Sequence, residues 1–142
     1  MNNMAITYLL DTSVYSQPVK KNPLNSVMER WENAGDSLLC SSIICELEVL
    51  QGLEMKGSSR LWSAYTYILK DRLPLLNLDM GIIALYATLQ AGFRKRGNTR
   101  PAFDLLIACT AITRNLILAT CNYRDFRDIA GLKVEDWGQG DL

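Results

Sequence analysis

Ile6-Thr7-Tyr8-Leu9-Leu10-Asp11-Thr12-Ser13 reads as a short apolar strand that runs into a carboxylate and two hydroxyls. Such a run suits a strand covered on both faces, and Asp11 then falls at its carboxyl end, where open α/β sheets place their ligands. Taken alone, Asp11 has a plainer reading as a helix N-cap or a turn residue. The rest of the chain decides how much weight the first reading can bear.

Further short apolar runs follow at Leu38-Leu39-Cys40, Leu75-Leu76-Asn77-Leu78 and Leu116-Ile117-Leu118-Ala119-Thr120, with Leu132-Lys133-Val134 as an edge strand. Amphipathic segments separate them. Asn22-Pro23 predicts the start of a helix over 23–33, with Leu24, Val27, Met28 and Trp31 on one face and Gly35 as its stop. Ser41 and Ser42 read as caps for a helix from Ile43, which places Glu46 about one turn in. Leu61, Trp62, Tyr65, Ile68 and Leu69 outline another helix before Pro74, and Asp79 caps a long one carrying Ile82, Ile83, Tyr86, Leu89 and Phe93. The segment 102–112 is mostly apolar, with Asp104 its only carboxylate. Strands alternating with helices predict an α/β fold, a three-layer α/β/α single domain over 1–142 with a mainly parallel central sheet.

Composition narrows the chemistry. The 142 residues suffice for one core, and 49% apolar with 21% charged residues is ordinary for a globular protein. No apolar run reaches the length of a membrane span, and Met1-Asn2-Asn3 lacks the basic head of a signal peptide, so a soluble, cytoplasmic protein is expected. Fifteen basic and fifteen acidic side chains cancel, so nucleic-acid binding would need a local patch. Cys40, Cys45, Cys109 and Cys121 form no CxxC pair and read as buried small hydrophobes. The absence of histidine excludes Ser-His and Cys-His nucleophiles and leaves acid chemistry to carboxylates.

In a parallel sheet with right-handed crossovers every strand-to-helix junction lies on one edge. Asp11, Glu46, Asp104, Asn122 and Asp125 collect there. Each has a plain alternative as a cap or first-turn acid, but three or four converging carboxylates repel one another unless a cation neutralises them. Oxygen ligands without His or Cys select magnesium or manganese, and such a site suits phosphodiester hydrolysis. The cations Lys20, Lys21, Arg94, Lys95, Arg96 and Arg100 are candidates for holding a substrate's phosphates, and Arg94-Lys95-Arg96-Gly97 is equally explained as a helix C-terminus with its glycine cap.

Leu9-Leu10-Asp11-Thr12-Ser13, Cys45-Glu46-Leu47 with Gly52, Phe103-Asp104-Leu105-Leu106-Ile107-Ala108, Leu118-Ala119-Thr120-Cys121-Asn122 and Gly131 to Trp137 together resemble the PIN-domain family, in particular its VapC-type toxin ribonucleases. The resemblance covers essentially the whole chain. It implies a PIN-like fold and a magnesium- or manganese-dependent endoribonuclease, usually a homodimer, silenced by a cognate antitoxin protein. Carried over position by position, it implies Asp11, Glu46 and Asp104 as core acids, with Asp11 and Asp104 as direct ligands. The fourth position is divided between Asn122 and Asp125, and an asparagine ligates only through an uncharged carbonyl. Ser13 and Thr120 are expected to orient ligands or metal waters. An alternative is a catalytically weak member serving as a protein-interaction or RNA-binding module, for which Asn122 is the sequence hint. A haloacid-dehalogenase-type phosphatase would need an Asp where Ser13 stands.

Overall fold

Five parallel strands among the described residues, β1 (Tyr8–Leu10), β2 (Leu39–Ser42), β3 (Leu75–Leu76), β4 (Ile117–Thr120) and β5 (Lys133–Asp136), lie in the order β3-β2-β1-β4-β5, so the chain reverses its direction across the sheet at β1. The computed structural model describes residues 5–139. β1 pairs with β2 on one side and β4 on the other. β3 extends the first side, and β5, expected from the sequence as an edge strand, closes the second. Right-handed crossovers then put the helices leading to β2 and β3 on one face and those leading to β4 and β5 on the other. The point of reversal, between β1 and β4, is where such sheets hold ligands at their carboxyl ends.

The helices form where local signals ask for them. α1 (Thr12–Tyr15) is capped by Asp11, whose Oδ1 accepts from Val14 N. α3 (Ile43–Lys56) is capped by Ser42, whose hydroxyl accepts from Ile44 N, and ends at Gly57 in the left-handed conformation. α5 (Met80–Lys95) is capped by Asp79, and α6 (Ala102–Thr113) buries Leu105, Ile107, Ala108, Cys109, Thr110 and Ala111. Burial on nearly every side makes α6 a central helix, so its lone carboxylate, Asp104, sits at its exposed start. Each fully buried Leu or Ile in this layer stabilises the fold by roughly 1.5–3 kcal/mol. All four cysteines are free thiols, three of them buried.

Two expected elements differ. α2 (Asn25–Ala34) begins at Asn25, and the cap expected of Asn22-Pro23 is supplied from elsewhere: buried Gln17 accepts Leu24 N through Oε1 and donates through Nε2 to the Ser13 carbonyl. The helix before Pro74 divides into α4 (Ser59–Ala64) and a wider π-helical turn, Tyr65–Leu69, which the Lys70 N to Tyr65 O bond closes. That turn directs Tyr65 into the core.

Candidate active site

Asp11 is the centre. The β1–β4 register opposes Leu10 to Ala119, and Asp11 N continues the ladder to Ala119 O, so Asp11 and Thr120 emerge side by side at the switch point. Thr120 Oγ1 donates to Asp11 Oδ2 at 2.5 Å, and Ser13 Oγ donates to Asp11 Oδ1 at 2.5 Å. The two hydroxyls are themselves fixed, because Ser13 Oγ accepts from Cys121 N and Thr120 Oγ1 accepts from Asn122 N. Asp11 is therefore both an N-cap and a clamped carboxylate. Only 4% of it is exposed. Burial lifts its carboxyl to about 6, the hydroxyl and Val14 N–H bonds pull the other way, and the charge of Asp104 adds to the rise.

Asp104, in the first turn of α6, is half-buried. Burial raises its carboxyl above the usual range, and the charges of Glu48 and Asp125 raise it further. Asp104 is thus the acid at which the charges of Asp11, Glu48 and Asp125 meet. Asp125 belongs to the four-residue α7 (Tyr123–Phe126), which Asn122 opens. Asp104 and Asp125 line a hollow of about 420 Å³, and Asn122, Asp125 and Asp136 line a neighbouring one of about 470 Å³.

Glu46 is not brought into this group. Its two carboxylate oxygens accept from the Tyr15 and Tyr65 hydroxyls at 3.0 and 2.9 Å, so the acid ties α1, α3 and the π-helical turn together. With burial, the Glu46 charge pushes the Tyr15 phenol well above its ordinary value and Tyr65 to about 12. Glu48 takes its place, and Thr12 Oγ1 donates to it at 2.6 Å. Helical phase carried the signal that distinguishes the two. Cys45 Sγ reaches the Leu10 carbonyl at the end of β1, and residue 48 lies one turn along nearly the same face as Cys45, whereas residue 46 is turned further round.

The expected basic residues also separate. Arg94, Lys95 and Arg96 are exposed at the end of α5, with Arg96 over the Phe93 ring, and Lys20 and Lys21 are exposed as well. Arg100, expected as a phosphate contact, is engaged inside the protein: it pairs with Asp128, donates to the Asp125 carbonyl and lies over Phe93. No helix among the described residues is long and apolar enough to cross a membrane.

The donor set fits a hard divalent cation. It is all oxygen, and the raised carboxyls of Asp11 and Asp104 mark charge that is uncompensated without one. Among the described residues no three acids or thiols stand close enough to form a ready cage. Magnesium does not require one, since it commonly takes one or two carboxylates and completes its shell with water.

Comparison with known proteins agrees with this geometry. The PIN domain profile matches residues 8–132. The chain is 29% identical over 132 residues to the tRNA(fMet)-specific endonuclease VapC of Shigella flexneri, covering 93% of this chain and 98% of that protein. It is 31% identical over 130 residues to ribonuclease VapC1 of Methanocaldococcus jannaschii, covering 90% and 86%. Among solved structures, the DNA-bound VapBC complex of Salmonella typhimurium contains a chain that superposes with a TM-score of 0.79 at 28% identity, covering 93% of this chain and 98% of that one. A parallel sheet ordered 3-2-1-4-5, an acid clamped at its switch point and a profile match along most of the sequence converge: the chain belongs to the PIN domain family.

Proposed function

We propose that this chain is a divalent-metal-dependent endoribonuclease and the toxin of a toxin–antitoxin pair. The observation that carries the reading is Asp11, buried at the switch point, held by two hydroxyls and facing the charge of Asp104. The relatives' names support the ribonuclease activity, and the VapBC complex supports an antitoxin partner. A cytoplasmic location and a homodimer belong to the same proposal.

Asp11 and Asp104 would hold magnesium or manganese directly, with Glu48, Asp125 and the Asn122 carbonyl completing the site or orienting its waters. Such an ion supplies a water of lowered pKa and charge stabilisation for the phosphodiester transition state. Ser13 and Thr120 keep the Asp11 oxygens aimed, which removes the need to reorganise them during reaction. Lys20, Lys21, Arg94, Lys95 and Arg96 are exposed and available to the RNA backbone, and Arg124 and Arg127, exposed as well, line the hollows themselves.

The test is magnesium-dependent cleavage of structured RNA by the parent, Asp11→Asn and Asp104→Asn, with transfer RNA as the first substrate because of the Shigella flexneri relative. Variants that cut as fast as the parent would overturn the metal-nuclease reading. A parent that cuts no RNA yet binds a small protein partner tightly would favour an interaction module.

A further inference from the structure

We infer that Arg100 is a positioning residue, bracing α7 and thereby the Asp125 carboxylate against the loop that leads into α6 and Asp104. The consequence for activity rests on the nuclease reading above; the geometry does not.

Arg100 is held through its backbone, one face of its guanidinium and both terminal nitrogens. Gln90 Nε2 donates to the Arg100 carbonyl at 2.7 Å and Gln90 Oε1 accepts from Arg100 N at 3.0 Å, a two-bond clamp from α5. The guanidinium carbon sits 4.5 Å from the centroid of Phe93. Nη1 donates to the Asp125 backbone carbonyl at 3.2 Å, and Nη2 pairs with the Asp128 carboxylate at 2.5 Å. One side chain thus grips both α7 and the turn after it. α7 needs such a grip, because four residues cannot sustain a helix unaided and its Asn122 cap position makes no side-chain cap bond.

Two other roles fit less well. As a phosphate contact, Arg100 has one N–H of each terminal nitrogen committed to its own chain and one face on a ring, and only 12% of the side chain is exposed. As a general stabiliser it carries a cost, since Nε is buried with no acceptor among the described residues. What the arrangement supplies is placement. Arg100, Asp104 and Asp125 line the same hollow of about 420 Å³, so the brace sets where the two carboxylates stand relative to each other.

Arg100→Ala, Arg100→Lys and Asp128→Asn in the full chain test this by amide hydrogen exchange, calorimetric titration with Mn²⁺ and steady-state RNA cleavage. Arg100→Ala is expected to speed exchange over residues 123–129, to weaken Mn²⁺ binding by about 10-fold and to lower kcat by about 10-fold, with KM within about twofold of the parent. Arg100→Lys should restore little of this, since an ammonium cannot bond both acceptors in the fixed fork geometry. Asp128→Asn keeps the bond to the Asp125 carbonyl and should move each reading in the same direction by a smaller factor. A raised KM with exchange and Mn²⁺ affinity unchanged would overturn the inference and make Arg100 a substrate contact. If Arg100→Ala does not fold, Asp128→Asn decides, and exchange in α7 equal to the parent's overturns the brace. A parent that neither binds Mn²⁺ nor cuts RNA sinks the nuclease reading and this consequence with it, whereas an active parent matched by all three variants sinks the brace alone.

Discussion

The Thr12 hydroxyl donates to Glu48 Oε1 at 2.6 Å, joining the residue beside Asp11 to a helix 36 positions further along the chain. That bond turns Glu48 towards the charges around Asp104, while Glu46, two residues earlier, spends both oxygens on tyrosines. Glu48→Gln is therefore expected to lower kcat for RNA cleavage by about 10- to 100-fold with little change in Tm. Glu46→Gln should keep kcat within about threefold and instead cost about 1–2 kcal/mol of stability, because two phenols lose a charged acceptor. Cleavage kinetics beside thermal melts separate the two, and equal losses of kcat would return Glu46 to the site.

Asp11 makes stability depend on pH in an unusual direction. Burial, the largest cause, raises its carboxyl from the ordinary range near 4 to about 6, so the folded state binds a proton that the unfolded state releases. In metal-free protein the Asp11 contribution is favourable below about pH 4 and is lost as pH rises towards 6, a change on the order of 2–3 kcal/mol before relaxation. Asp11→Asn in a chelator should therefore have a higher Tm than the parent at pH 7.5 and a smaller advantage at pH 4.5. A Tm difference that does not vary with pH would show that Asp11 is ionised without penalty.

Where a signal was local, the sequence was readable. Ser42 and Asp79 as caps, Gly35 as a stop and Asp11 at a strand end need only neighbours within a turn or two, and each stands where expected. What was hidden depends on partners that only the fold assembles. Glu46 resembles a site acid until Tyr65, 19 residues away on a π-helical turn, is brought to it. Arg100 reads as a loop cation until Phe93, Asp125 and Asp128 surround it. Asn22-Pro23 reads as a helix start until the buried amide of Gln17 caps Leu24 instead. In each case a side chain with several possible partners was claimed by one that sequence spacing does not reveal.

Thr120 is the hinge between the clamp and the next loop, since its hydroxyl donates to Asp11 Oδ2 and accepts from Asn122 N. Thr120→Val keeps the shape and removes both bonds. It should cost about 1–3 kcal/mol, chiefly by leaving a buried oxygen of the Asp11 carboxylate without its donor, with the part-buried Asn122 amide unpaired as well. It should also slow cleavage, because Asp11 loses one of the two donors that aim it. Thr120→Ser, which keeps the hydroxyl, should recover most of the rate. A valine variant that melts and cuts like the parent would remove the hydroxyl from the argument.

Asn122 gives the far wall of the site a carbonyl where a carboxylate would add charge, and it shares its hollow with Asp125 and Asp136. If Asp125 helps to hold the cation, Asp125→Ala should weaken Mn²⁺ binding by about 10-fold. Tyr123→Ala, on the same short helix but uncharged, should stay within about twofold of the parent. Asn122→Asp makes the opposite change, adding a negative charge beside two others. Without metal this should lower Tm, because like charges repel at close range, and with Mn²⁺ it should tighten binding. Calorimetry with and without the ion reads both signs at once. Equal Mn²⁺ affinity for Asp125→Ala and Tyr123→Ala would take Asp125 out of the site, and an Asn122→Asp variant that binds no tighter than the parent would place the cation nearer Asp11 and Asp104 alone.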